Sequence, residues 1–174
     1  MSPTSPTVLL ICGSPSDLDL LLDCEDTLTE LQVRSSVRVL SAHRTPDETV
    51  LTIKNAEKAG IRVVIAFAGM SAALAGVSAA HTLLPVIGVP CANGPLSGFD
   101  AALSTMQMPP GIPVATVAVN GGRNAALLAA RILALTDREL RERLERRSVD
   151  DRARYAPEAI EVELAKRRAA RKQK

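Results

Sequence analysis

Aromatic residues are nearly missing from this chain. Phe67, Phe99 and Tyr155 are the whole complement, tryptophan is absent, and aromatics make up 2% of the sequence. Without stacking side chains there is neither a base-stacking surface for single-stranded nucleic acid nor an aromatic platform for a sugar. The rings that usually sandwich an isoalloxazine are also lacking, so aliphatic side chains and alanine must build the core. Histidine and cysteine are scarce as well, at two and three residues. Cys12, Cys24 and Cys91 form no CxxC pair, and two histidines supply no zinc constellation, so no metal is expected. Neither sign of charge dominates: 21 Lys and Arg against 19 Asp and Glu give a formal charge of +2, which does not suggest a nucleic-acid partner. No apolar run approaches the roughly 18 residues that would span a bilayer. Met1 to Thr7 is a short polar lead without the basic start of a secretory signal, and a cytoplasmic location is expected.

What is present is length and aliphatic content for one good core. With 174 residues and 47% hydrophobic content, the chain has room for one domain and not two. The expected division is a flexible lead over 1–7, a single catalytic α/β domain over 8–147, and a charged extension over 148–174 that is partly helical or disordered.

Short aliphatic runs recur at Val8 to Cys12, Ser36 to Leu40, Val63 to Phe67, Pro85 to Val89 and Val114 to Val119. Such runs read as strands buried on both faces. Helical segments lie between them. Leu18, Leu21, Leu22 and Leu28 fall on helical spacing within Asp17 to Leu31. Thr45 to Ala59 opens with a threonine cap, Pro46 at the first helical position, and Asp47 and Glu48 near the positive end of the helix dipole. The alternation predicts right-handed crossovers and a parallel sheet with helices on both faces, a three-layer αβα arrangement of flavodoxin-like type. Asn124 to Leu135 reads as an Ala/Leu-rich helix. Asp137 to Arg147 reads as a second helix whose narrow stripe of Leu140 and Leu144 docks on another subunit. Beyond it the chain is charged and expected to fray.

In such a sheet, ligands sit at the carboxyl ends of the strands, so the residues just after each strand carry the chemistry. The first strand runs into Gly13-Ser14-Pro15-Ser16-Asp17. Backbone N–H groups at a helix start, a flexible glycine and two hydroxyls suit a ribonucleotide phosphate, with Asp17 accepting from a ribose hydroxyl. A plain capped turn accounts for the same residues. The second strand ends in Ser41-Ala42-His43-Arg44-Thr45-Pro46, which sets a hydroxyl, an imidazole and a guanidinium on the same rim. Arginine clamps phosphate through two parallel bonds, and histidine moves protons near neutral pH. His81 lacks that setting and reads as a helix-surface residue. The third strand ends in Gly69-Met70-Ser71-Ala72-Ala73-Leu74, a run of small and apolar residues suited to a close-fitting pocket with N–H donors at its rim. Close packing of a helix on the sheet explains that run equally well. After the fourth strand, Cys91 to Gly98 is long enough to cover a site.

Gly13 to Asp17, Ser41 to Pro46, Pro85 to Pro90, Leu96 to Val119 and Asn124 to Leu133 together resemble the family of 5-aminoimidazole ribonucleotide carboxylases and N5-carboxyaminoimidazole ribonucleotide mutases, often called PurE. The resemblance covers about Val8 to Leu144. It implies a flavodoxin-like subunit, a homo-octamer with sites between subunits, and no metal or organic cofactor. By motif, it implies that Ser14, Asp17, Ser41 and Arg44 bind the ribose phosphate, with Gly13, Ser16 and Ala42 beside them. His43 would be the general acid and base. Gly69, Met70, Ser71, Ala72, Ala73 and Leu74 would form the pocket for carbon dioxide and the imidazole.

The two branches of the family differ in that third loop. Mutases typically read AGGAAHLPG, whereas this chain reads AGMSAALAG, with Ala73 where the mutase histidine stands. The loop is more similar to the AGRSNALSG of direct carboxylases, although Met70 and Ala72 replace its arginine and asparagine. SAHRTP, by contrast, resembles the mutase form. The expectation is direct carboxylation of 5-aminoimidazole ribonucleotide with CO2, and the alternative is the mutase reaction leading to the same product. A more distant alternative is a non-catalytic, nucleotide-binding module on the same fold. A phosphoacceptor receiver is disfavoured, because Gly13-Ser14 and Ala68-Gly69 stand where it needs acidic residues.

Overall fold

The computed structural model describes residues 5–171. Five strands pair in parallel in the order β2-β1-β3-β4-β5: β1 (Val8–Cys12), β2 (Ser35–Val39), β3 (Val63–Gly69), β4 (Val86–Cys91) and β5 (Ala115–Thr116). This is the doubly wound order of flavodoxin-like folds, whose switch point lies between β1 and β3. Those two strands run in register from Val8 opposite Val63 to Cys12 opposite Phe67.

Period-two alternation sorts their side chains into two cores. Val8, Leu10, Cys12, Val63, Ile65 and Phe67 face α1 (Leu18–Glu30) and α5 (Gly122–Leu133). Leu9, Ile11, Val64, Ala66 and Ala68 face α2 (Pro46–Ala56), α3 (Leu74–Ala79) and α4 (Phe99–Met106). Alanines 125, 126, 129 and 130 are fully buried, and their small size lets α5 lie close to α1 and the sheet.

The edge strands depart from the expectation of double burial. β2 is half-buried to exposed along its length, with Val39 47% exposed, because only β1 pairs with it. β5 keeps two residues of the expected six; Val117 still donates to the Gly88 carbonyl at 3.0 Å, and the chain then turns at Asn120, whose φ is +56°. Thr45 stands at the N-cap position of α2 as expected, but its side chain makes no capping bond to the helix. Its hydroxyl accepts from the Ser41 amide at 3.0 Å and donates to the Ser41 carbonyl at 3.3 Å, bracing the loop before the helix.

The C-terminal segment is also more regular than its composition suggests. α6 (Arg138–Arg154) runs through the boundary expected at residue 147, and α7 (Pro157–Arg171) follows it. Asp137 caps α6, accepting from the Leu140 amide at 2.9 Å, and Arg138–Glu142 and Arg141–Glu145 pair along its surface. Leu140, expected to meet another subunit, is 1% exposed and joins the core of its own chain. Arg143 and Arg147 fasten the same helix to the end of α1, through the Leu31 carbonyl at 2.9 Å and the Glu30 carboxylate at 2.6 Å. At the other end, Thr7 of the expected flexible lead donates its amide to the Arg34 carbonyl at 2.9 Å and accepts from the Arg62 amide at 2.8 Å. The rest of that lead before Ser5, and the tail after Arg171, lie outside the described residues.

The packing of α6 on its own chain has a measurable consequence. Leu140→Ala should lower unfolding free energy by about 2–5 kcal/mol, the usual cost of truncating a buried leucine. Urea denaturation reads this directly; a change within about 0.5 kcal/mol would be that of a surface residue and would contradict the packing.

Candidate functional site

Each central strand ends at the same edge of the sheet, and the loops that leave β1, β2 and β3 enclose a cleft of about 440 Å³. Gly13, Ser14, Ser16 and Asp17 line it from the first loop, Ser41, Ala42, His43 and Arg44 from the second, and Gly69, Met70, Ser71, Ala72, Ala73 and Leu74 from the third. The structure thus brings together every residue singled out in the sequence. It adds Ala68 and Asn93.

The first loop is a single 3-10 turn, Pro15–Asp17, between β1 and α1. The Ser14 hydroxyl accepts from the Ser16 amide at 3.3 Å and from the Ser16 hydroxyl at 2.9 Å, so the turn is capped as its composition allowed. In the second loop, Ser41 Oγ accepts from the Arg44 amide at 3.1 Å and from Arg44 Nε at 3.4 Å. Arg44 Nη2 then crosses to the Gly13 carbonyl at 2.7 Å. The guanidinium therefore ties the β1 and β2 loops together while standing exposed at the cleft. Two of its nitrogens make these bonds, and a guanidinium carries five N–H donors, so capacity for an anion remains. His43 is exposed on the same rim.

The third loop turns sharply. Met70 adopts φ +55°, in the left-handed region that an unbranched side chain tolerates at a cost of about 1 kcal/mol. Its side chain is 58% exposed, whereas Ala72 and Leu74 are buried beneath the loop. The floor of this part is apolar, and Ala73 presents no titratable group there.

Asp17 is the buried carboxylate of the cleft, 4% exposed. Burial pushes its pKa above the ordinary range, while hydrogen bonding from Asn93, the Cys91 thiol and the Ser14 backbone, together with the Arg44 charge, pulls the other way. Asn93 Nδ2 donates to Asp17 Oδ1. Cys91, which the sequence left without a role, packs beside this carboxylate with its thiol also 3.6 Å from the Val89 carbonyl. Burial raises the Cys12 thiol to about 11 and the Cys91 thiol to about 12, so both are protonated at neutral pH and unsuited to nucleophilic work. His81 lies away from the cleft, in the turn after α3, its Nδ1 2.8 Å from the Val77 carbonyl. Among the described residues no three His, Cys, Asp or Glu side chains cluster to hold a metal. No helix there is long and apolar enough to cross a membrane.

A doubly wound sheet with a polar cleft at its switch point defines an α/β protein of flavodoxin-like class, with the cleft where ligands of such sheets lie. Comparison with known sequences narrows this. The AIR carboxylase family profile matches residues 7–153, and the chain belongs to that family. It is 44% identical over 163 residues to the N5-carboxyaminoimidazole ribonucleotide mutase of Pyrococcus horikoshii, covering 94% of this chain and 92% of the other. With the phosphoribosylaminoimidazole carboxylase of Schizosaccharomyces pombe it shares 50% identity over 130 residues, which are 75% of this chain and 24% of the yeast protein. The crystal structure of Treponema denticola PurE superposes with a TM-score of 0.76 at 29% identity, covering 86% of this chain and 94% of that one.

The buried carboxylate gives a test with a definite sign. With its folded pKa raised, Asp17 contributes most to stability below the unfolded value of about 3.9 and loses that contribution as pH rises through the folded value. Asp17→Asn should therefore raise the urea midpoint at pH 8 relative to wild type, and by less at pH 4. An equal effect at both pH values would show that Asp17 does not titrate abnormally.

Proposed function

We propose that this protein forms 4-carboxy-5-aminoimidazole ribonucleotide by moving the carboxyl group of the N5-carboxylated ribonucleotide to C4, the reaction of an N5-carboxyaminoimidazole ribonucleotide mutase. The observation that carries the proposal is the convergence of three loops on one cleft: hydroxyls and a guanidinium for a phosphate, an imidazole on the rim, and an apolar floor. The sequence alone favoured direct use of CO2. The relatives shift that balance, since a protein named as a mutase matches at 44% identity across more than nine-tenths of both chains.

The chemistry follows from the groups present. Ser14, Ser41 and Arg44 hold the phosphate, and Asp17 accepts from the ribose. The N5–carboxyl bond breaks, releasing CO2 and leaving the ring amine to take up a proton. The electron-rich C4 attacks the CO2, a C–C bond forms, and the C4 proton leaves to restore aromaticity. His43 carries that proton as base and returns it as acid, so the cycle consumes none. The apolar floor formed by Ala72 and Leu74 keeps the CO2 beside the ring, where confinement replaces a bimolecular encounter with an intramolecular one. The same reading carries a cytoplasmic homo-octamer that needs neither metal nor organic cofactor. The exposed Ile160, Val162 and Leu164 of α7 support assembly, being apolar side chains that their own chain leaves uncovered.

A second reading, direct carboxylation of 5-aminoimidazole ribonucleotide, is favoured by Ala73, which stands where mutases carry a histidine, and by the yeast relative named as a carboxylase. Two parallel assays separate the readings: 5-aminoimidazole ribonucleotide with bicarbonate-derived CO2, and the N5-carboxylated ribonucleotide supplied ready-made. Turnover mainly in the second is expected; turnover mainly in the first establishes the carboxylase, and silence in both removes the ribonucleotide reading. His43→Asn should lower turnover by at least about 100-fold with ribonucleotide affinity retained, and unchanged turnover would sink the proton-transfer role.

A further inference from the structure

We infer that Asn93 is a positioning residue that holds Asp17 in the rotamer from which its carboxylate receives the substrate's ribose hydroxyls. The inference rests on the ribonucleotide reading above.

Asn93 lies two residues beyond β4, in a loop whose backbone is held on each side of it. The Ala92 amide donates to Asn120 Oδ1 at 2.9 Å, and the Asn120 amide donates back to the Pro90 carbonyl at 2.8 Å. On the other side, Gly94 takes φ +118°, a turn that other residues rarely adopt, and a Cβ there would lie 3.5 Å from Met70 Cγ. Asn93 also sits directly on the third loop. A Cβ added to Gly69 would lie 3.0 Å from Asn93 Cβ and 3.3 Å from the Cys91 carbonyl, so Gly69 is the gap into which Asn93 fits.

From this fixed base the Asn93 amide reaches Asp17 Oδ1. The carboxylate is faced by Cys12 from β1, the Ser14 backbone from the first loop, Arg44 from the second and the Cys91 thiol from the end of β4. Asn93 is the neighbour that is both a direct donor to the carboxylate and a side chain of the cleft wall. An ionised carboxylate has about four lone-pair sites, so one amide fixes its rotation and leaves acceptor capacity for hydroxyls. Donation to the charged form also opposes burial, which favours the neutral acid. Without the amide, Asp17 would be free to rotate and would hold a proton to higher pH, and a protonated acid is a poorer acceptor for a ribose hydroxyl.

The experiment measures calorimetric affinity for 5-aminoimidazole ribonucleotide and its 2′,3′-dideoxy analogue between pH 5.5 and 8.5, with kcat and KM for the N5-carboxylated substrate. Asn93→Leu keeps a similar volume and removes the donor; Asn93→Ala removes the donor and the volume together and serves as a second variant. Both should weaken the ribonucleotide about tenfold at pH 7, and more at pH 5.5, with kcat changed less than about threefold. The dideoxy analogue should bind wild type and variants alike. An equal loss for both ligands, or a loss independent of pH, would show a merely structural role and overturn the inference. Failure of the wild type to bind either ligand would overturn the ribonucleotide reading first, and this inference with it.

Discussion

The double burial of β1 and β3 is the constraint from which the rest follows. These strands are enclosed by sheet neighbours and by helices on both faces, and the side chains of Val8 to Cys12 and Val63 to Ala68 are apolar or nearly so and buried throughout. A polar side chain at any of these positions would need a partner within the core, at a cost of a few kcal/mol if none were found. Polar chemistry is thereby displaced to where the strands end. Because the strands are parallel, all of them end together at one edge, and residues distant in sequence converge there.

Loops at such an edge need mutual restraint to form a precise site, and here polar contacts between loops supply it. Arg44 joins the second loop to the first through the Gly13 carbonyl, and Asn93 joins the fourth to the first through Asp17. Gly69 lets the fourth loop rest on the third. The first loop is thus the meeting point of the second and the fourth, through Gly13 and Asp17. A buried carboxylate is costly to the fold, and hydrogen bonds from Asn93, the Cys91 thiol and the Ser14 backbone, with the Arg44 charge, offset part of that cost here.

The sheet, its topology class and three walls of the cleft were legible in the sequence because their signals are local. Five aliphatic runs mark the strands, and Gly13 to Asp17, Ser41 to Arg44 and Gly69 to Leu74 each follow a strand immediately. The parallel edge does the rest. Asn93 was missed because its partner lies 76 residues away, and only the folded loop brings the two together. A usable signal existed in Asn93-Gly94, a tight-turn pair just past the fourth strand at the same edge. Edge position was equally hidden: Ser35 to Val39 and Ala115-Thr116 carry strand-like residues, but exposure depends on how many neighbours a strand finds. The charged run after Asp137 concealed a regular helix, because Arg–Glu pairs four residues apart stabilise a polar surface while Leu140, with Leu144 packed beside it, anchors the helix in the core.

In the proposed mutase reaction the carboxyl group stays within the cleft while it moves from nitrogen to carbon. The third loop, with Ala73 and an apolar floor, offers no ionised side chain to fix a free carboxylate, and confinement is what it can provide. The most direct measurement supplies the N5-carboxylated ribonucleotide with carbon-13 in its carboxyl group, in the presence of a large excess of unlabelled bicarbonate and carbonic anhydrase. Retention of the label in 4-carboxy-5-aminoimidazole ribonucleotide is the predicted result. Product carrying the unlabelled carbon of the pool would show that the carboxyl group escapes and that the cleft takes CO2 from solution, contradicting the account.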